Sequence, residues 1–331
     1  MTAVVPVRRG EARKASFATD RATAFVADRR PDAERMGRAL ADALADPAAF
    51  AELLRDDLTQ LADPVYLEGQ RRVAPGIGDL HGVRWPVIEA LKRGFRDATR
   101  GERTSSWLFV ADRLLREPKL EPHWFAFGLF ERLVADEPER TWQLLRRASR
   151  EAADWITVDS LAHPVGKGIL NEPYRWAELE QLVYSPSRWE RRLVGSTIAT
   201  IPFVDRRRRR DPEVARRGLE LIRELIGDAE PDVQKALAWA LRSMALVDRP
   251  ATTAFLREEA ETARQTGDGH RTWVIRDVLS KLDPADASEI RAAVDGIRHA
   301  SGAPSTSRAS EAAARFGGGR LGMPVPEPPL E

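Results

Sequence analysis

A chain of 331 residues, 43% hydrophobic and 31% charged, can bury a continuous core beneath a heavily solvated exterior, as one elongated array or as two compact domains. Its formal net charge of +1 does not mark a nucleic-acid binder, and the absence of cysteine excludes disulfides, zinc–thiolate sites and thiol nucleophiles. No window approaches about eighteen uninterrupted apolar residues, and the opening stretch to Arg9 has no signal-like apolar run, so a cytoplasmic protein that spans no membrane is expected.

Taken in order, residues 1–30 are polar, Arg-rich and weakly patterned, and read as a loosely ordered arm with one short helix. A helical period starts at Pro31-Asp32 with Met36, Leu40 and Leu44, and another follows Asp46-Pro47 with Phe50, Leu54, Leu58 and Leu61. Asp before Pro is an N-terminal signal, because the carboxylate caps the first turn and Pro tolerates it. A short helix is expected from Val65 to Val73, then a Gly- and Pro-rich break, then a helix opened by Pro86.

Further helical runs cover 104–116, 121–135, 138–153, 154–171, 174–184, 187–203, 212–227, 231–247, 250–265, 270–282 and 284–298, with proline at most junctions. No stretch alternates as a strand would. The reading is an all-α protein of HEAT-like helical repeats, a curved α-solenoid superhelix over residues 31–299 with disordered terminal arms. A compact irregular helical domain stays open, because the period is not strict. From residue 300 to 331 the composition turns to Ser, Ala, Gly and Pro, and that tail is expected to be disordered.

Only six of the 52 basic residues are lysine, at positions 14, 92, 119, 167, 235 and 281. Arginine grips phosphate with a bidentate fork, but arginine richness also follows from high genomic GC content, so position matters more than abundance. Three stretches place such residues beside an aromatic. In a helix through 154–161, Trp155 and Asp159 share one face while Val158, Leu161 and Val165 face the core. An indole beside a carboxylate suits a cationic, flat or sugar-like partner, although a core-edge Trp beside a solvated Asp is the plainer reading of that stretch alone.

In the second stretch, Arg188 and Arg192 share an outward face with the small Gly195 and Ala199, while Trp189, Leu193, Val194, Ile198 and Ile201 can pack inward. Small residues there would let a polymer backbone approach; a solvated arginine face is the plainer alternative. In the third, Trp239 lies off the apolar stripe of its helix with Lys235 before it and Arg242 after it. An aromatic on a basic face is what a groove for a nucleic-acid backbone uses, whereas a Trp capping the next helix pair is the structural alternative. Arg191 and Arg271 complete the expected set of phosphate-contacting residues.

Weaker signals are the run Arg206–Arg210, either a phosphate contact or a solvated loop, and His163, one turn beyond Asp159. The five histidines show no metal-ligand spacing, and there is no Gly-rich phosphate loop, so neither metal nor organic cofactor is expected.

Taken together, Trp155-x-x-x-Asp159, Trp189-x-x-Arg192 and Lys235-Ala-Leu-Ala-Trp239-Ala-Leu-Arg242 resemble the AlkD-type DNA alkylation repair proteins, the alkylpurine DNA glycosylases built from HEAT-like repeats. The likeness covers roughly residues 45–285. It implies an enzyme acting on duplex DNA, hydrolysing the N-glycosidic bond of cationic alkylated purines such as 3-methyladenine and 7-methylguanine without swinging the base out of the helix, and nucleoid-associated in use; nothing in the sequence demands more than a monomer. Carried over by position, Trp155, Asp159, Arg192 and Trp239 converge on the damaged nucleotide, with Asp159 at the sugar and Arg192 at the flanking phosphate. The sequence departs from the family pattern at Asp154 and Ile156, where a second Trp and an Asp often stand. Rival readings are a non-catalytic relative that binds damaged or branched DNA, and a protein-binding HEAT scaffold.

Overall fold

The computed structural model describes residues 9–74, 76–205, 211–300 and 302–315, with side chains from Thr19 onward. Among these residues every regular element is a helix, and the chain is an all-α helical-repeat protein. The expectations for Arg206–Arg210 and for residues 316–331 lie outside the described residues. The chain divides into two compact units, the first ending at Leu129 and the second beginning at Phe130.

The first unit holds α1 (Arg9–Ala39), α2 (Pro47–Gln60), α3 (Pro64–Val73), α4 (Trp85–Ala98), α5 (Thr104–Leu114) and the beginning of α6 (Leu120–Asp136). From Arg9 onward the stretch read as a loose arm is helical and belongs to α1, with Pro31 inside the helix. Proline forfeits one backbone hydrogen bond there, but packing against α4 outweighs it: Ala33, Met36 and Leu40 are buried. The two helices touch backbone to backbone, since a Cβ on Gly37 would collide with the Leu91 carbonyl and one on Gly94 with that of Glu34. The core is aromatic, with Phe95 packed 5.5 Å from Phe50, 5.7 Å from Phe125 and 5.2 Å from Trp107 between ring centres.

Asp46 caps α2 as its Asp-Pro signal predicts, accepting from the Ala48 and Ala49 amides at 3.0 and 3.1 Å. The Gly- and Pro-rich connection before α4 is pinned by Glu121. That buried carboxylate accepts from the backbone amides of His81, Gly82 and Val83 at 2.9, 2.7 and 3.2 Å.

The second unit continues α6 and adds α7 (Pro138–Glu151), α8 (Trp155–Asn171), α9 (Trp176–Gln181), α10 (Arg188–Val204), α11 (Pro212–Leu225), α12 (Pro231–Val247), α13 (Arg249–Thr266), α14 (Gly269–Val278), α15 (Pro284–Ala293) and α16 (Arg308–Arg315). Short 3-10 turns, Pro173–Arg175 and Leu182–Tyr184, flank α9. Helices α8, α10, α12 and α14 form one row: α10 packs on both α8 and α12, and α12 on α14. They run in the same direction, because their contacts advance together. Asp159 meets Ser196 while Ala162 meets Thr200, and Gln234 meets His270 while Arg242 meets Asp277. Helices α7, α11 and α13 each pack on the row helix that follows them, making the second layer. Paired positions recur 33, 40 and 36 residues apart, the spacing of helical repeats.

Residues 302–315 depart from the expected disorder. Ser305, Ser307 and Ala309 are buried, and α16 packs on α11. Gly227, at φ +104°, turns its carbonyl to this segment, where the Thr306 amide donates to it at 2.9 Å. A Cβ there would sit 2.6 Å from the Thr306 hydroxyl, so only glycine fits.

Candidate functional site

The site is built on α8, α10 and α12. Asp154 caps α8, its two carboxylate oxygens accepting from the Thr157 amide at 2.9 Å and the Thr157 hydroxyl at 2.8 Å. That cap makes Trp155 the first residue of α8 and sets Asp159 one turn later on the same side. Both side chains are partly exposed, the Asp159 side chain at 21%.

Across the α8–α10 contact, Arg192 grips Asp159 side-on, with Nε donating to Oδ1 at 3.1 Å and Nη2 to Oδ2 at 2.8 Å. Ser196, one turn further along α10 and fully buried, donates its hydroxyl to Oδ1 at 2.6 Å. Arg192 Nη1 donates to the Asp232 carbonyl in the first turn of α12 at 2.6 Å. Its guanidinium carbon lies 6.0 Å from the centre of the Trp155 ring. One buried arginine thus joins three successive repeats around a carboxylate that still reaches solvent.

Helix α12 carries Asp232, Lys235, Trp239 and Arg242 on one stripe. Lys235 is exposed, and Asp232, Trp239 and Arg242 are half-buried. Arg242 pairs with Asp277 of α14, and burial lowers its affinity for the proton. Trp239 stands about two turns beyond the Asp232 carbonyl, so it lies roughly 10 Å along the helix axis from the Arg192 contact. On α10, Arg188 is exposed, 4.6 Å over the Trp189 ring and 3.5 Å from Glu230.

Several expectations are corrected by this arrangement. Arg191 has no exposed surface: it donates to Asp228 at 2.7 Å and to the Ser185 and Pro186 carbonyls at 2.9 and 3.0 Å, locking the turn before α10. Arg271 is likewise buried, paired with Asp268 and Glu259. Arg191 reaches no phosphate, because it is sealed and already neutralises a buried carboxylate whose isolation would be costly, while Arg271, as buried as Arg192, spends its charge on two buried carboxylates rather than on one that reaches solvent. Gly195 and Ala199 leave no room for a polymer. Both are buried, and a Cβ on Gly195 would sit 2.9 Å from the Ala236 backbone, so smallness here serves helix packing. Trp189 is half-buried beneath Arg188 rather than packed inward with Leu193 and Val194. His163, one turn beyond Asp159 on α8, lies 3.3 Å from Glu131.

Ser196 and the Asp232 carbonyl were missed by sequence reasoning. Ser196 falls four residues after Arg192, a spacing that could have drawn attention to it. A main-chain carbonyl leaves no trace in a sequence. Trp273, half-buried on α14, continues the series of partly exposed tryptophans on row helices begun by Trp155, Trp189 and Trp239.

A helical-repeat protein with an indole, a carboxylate and a guanidinium gathered on its row of parallel helices is the class so defined. The family described as DNA alkylation repair enzyme matches residues 54–270, more than half the chain, and the chain belongs to that family. A search of the curated proteins finds no match. No helix among the described residues is long and apolar enough to cross a membrane, and no group of three or more His, Cys, Asp or Glu side chains among them could hold a metal ion.

Proposed function

We propose that the protein is a DNA glycosylase that hydrolyses the N-glycosidic bond of cationic alkylated purines in duplex DNA, with the lesion left in the helix. The carrying observation is the solvent-reaching carboxylate of Asp159, held by Arg192 and Ser196 beside Trp155. A purine alkylated at N3 or N7 is already positive. When its bond to C1′ breaks, the electron pair leaves with the base, which departs neutral, and positive charge collects on the sugar. Water adds at C1′, and its proton passes to the Asp159 carboxylate.

Magnitudes decide how much Asp159 can supply. An anion ~4 Å from the developing cation is worth roughly 4 kcal/mol at an effective dielectric near 20, about three decades in rate. The Arg192 charge, ~3 Å further away, takes back roughly 2 kcal/mol of that. Of the five N–H groups of a guanidinium, Arg192 commits three to Asp159 and the Asp232 carbonyl, leaving about two for a phosphate. A phosphate bound there cancels the arginine charge and restores the pull of Asp159. The carboxylate therefore acts at full strength only when DNA is seated. Trp155 and Trp239 stack on the sugar and the cationic base, favouring charged over neutral lesions.

The bidentate Arg192–Asp159 pair also supports a second reading, in which the pair is only a structural latch and the protein binds damaged DNA without cleaving it. Incubating the full chain with methylated duplex DNA and separating the released bases by chromatography decides between them. Release of 7-methylguanine or 3-methyladenine supports the glycosylase; duplex binding with no released base supports the latch.

A further inference from the structure

Resting on the glycosylase reading above, we infer that Ser196 is a positioning residue that commits one oxygen of Asp159 to the protein and leaves the other to the reaction. A carboxylate offers about four lone-pair directions. Among the described residues, Oδ1 accepts from Arg192 Nε and from the Ser196 hydroxyl, which fills it, while Oδ2 accepts only from Arg192 Nη2. The direction left over is on Oδ2, and the Asp159 side chain retains 21% of its surface toward solvent.

Arg192 alone cannot create this asymmetry. Its fork meets the two oxygens nearly alike, at 3.1 and 2.8 Å, and would leave one open direction on each. A water taking the open direction on Oδ1 would compete with the productive one. Ser196 removes that option from a position with no exposed surface, where nothing but Asp159 needs its proton. The hydroxyl sits one turn beyond Arg192, so a single face of α10 supplies both the charge partner and the selector. A serine kept only for helix packing would not need its hydroxyl 2.6 Å from an anion on the neighbouring helix.

The experiment uses the full chain in excess over a duplex carrying one 7-methylguanine, reading the single-turnover release rate at saturation, the duplex Kd and the melting temperature. Ser196→Ala should slow release about tenfold with Kd within about twofold of wild type, as expected when a hydrogen bond to a charged group is lost. Ser196→Thr, which keeps the hydroxyl, should stay within about threefold. If Ser196→Ala does not fold, Ser196→Cys, nearly the same size with a weak donor, must show the slower release. An unchanged rate in the alanine or cysteine variant overturns the inference. So does a rate loss shared by the threonine variant, which would make Ser196 a packing residue. Absence of release by the wild-type chain itself sinks the glycosylase reading, and this inference with it.

Discussion

Gly195 of α10 meets Ala236 of α12 so closely that a Cβ on the glycine would lie 2.9 Å from the alanine's carbonyl carbon. That approach sets the distance at which Arg192, one turn earlier, reaches the Asp232 carbonyl. Gly195→Ala should push the two helices apart, destabilise the protein by about 1–3 kcal/mol and slow any base release. Gly69 makes the control. It sits inside α3 with nothing within 4 Å of where its Cβ would be, so Gly69→Ala should stabilise by about 0.5–1 kcal/mol. Thermal unfolding of both variants, expected to move in opposite directions, checks the pair.

Asp159→Asn removes the charge but keeps the shape. An amide meeting the Arg192 fork presents its NH2 to a donor, so a drop of about 2–3 kcal/mol in stability is expected as the buried guanidinium loses its partner. Release of 7-methylguanine should fall by about a hundredfold or more, while duplex binding persists through the exposed Lys235 and Arg188. Chromatographic base release beside a gel-shift titration measures both. Undiminished release in this variant would remove Asp159 from the reaction.

Much of the fold is legible because its signals are local. Asp46-Pro47, Asp211-Pro212 and the apolar stripes fix where helices start and which side they bury, and Asp46 and Asp211 do cap their helices. The failures are tertiary. Arg191 and Arg192 are adjacent and chemically identical, yet one is sealed against Asp228 and the other grips Asp159, and only the neighbouring repeats decide which. Helix α1 defeats a proline signal because α4 lies along it, and Ser305 is buried because Gly227 has no side chain. Of the candidate site, spacing along one helix can pair Trp155 with Asp159, but the contact of Asp159 with Ser196, thirty-seven positions away, depends on how α8 and α10 pack.

Salt dependence should separate exposed from buried basic residues. Each phosphate contact contributes a slope of about −0.9 in log K against log salt. Lys235→Ala and Arg188→Ala should each reduce the steepness of duplex binding by about one such step, with little change in melting temperature. Arg191→Ala should leave the slope unchanged, because its guanidinium has no exposed surface. It should instead cost about 3–5 kcal/mol of stability by stranding the Asp228 carboxylate. A changed slope in Arg191→Ala would contradict its burial.

Two buried groups of the first unit should oppose each other as pH changes. Burial, helped by the neighbouring Asp56, raises the Asp57 carboxyl from 3.8 to about 6, and its Oδ2 has no hydrogen-bond partner. Burial also lowers His81 from 6.5 to about 4, aided by the positive charges of Lys119 and Arg55. For Asp57 the folded state holds the proton more tightly, so its contribution is fully present below about 3.8 and is lost as pH rises through about 6. For His81 the unfolded state holds it more tightly, so its contribution is present above 6.5 and is lost as pH falls through about 4. Each is worth about 3 kcal/mol at most, and between pH 4 and 6 they nearly cancel. Asp57→Asn breaks the balance. Against wild type it should gain about 1–2 kcal/mol at pH 8. Its melting temperature should then fall steadily from pH 6.5 to 4, where the wild-type curve is nearly flat. Parallel curves for the two proteins across that range would show that Asp57 titrates as an ordinary surface carboxylate.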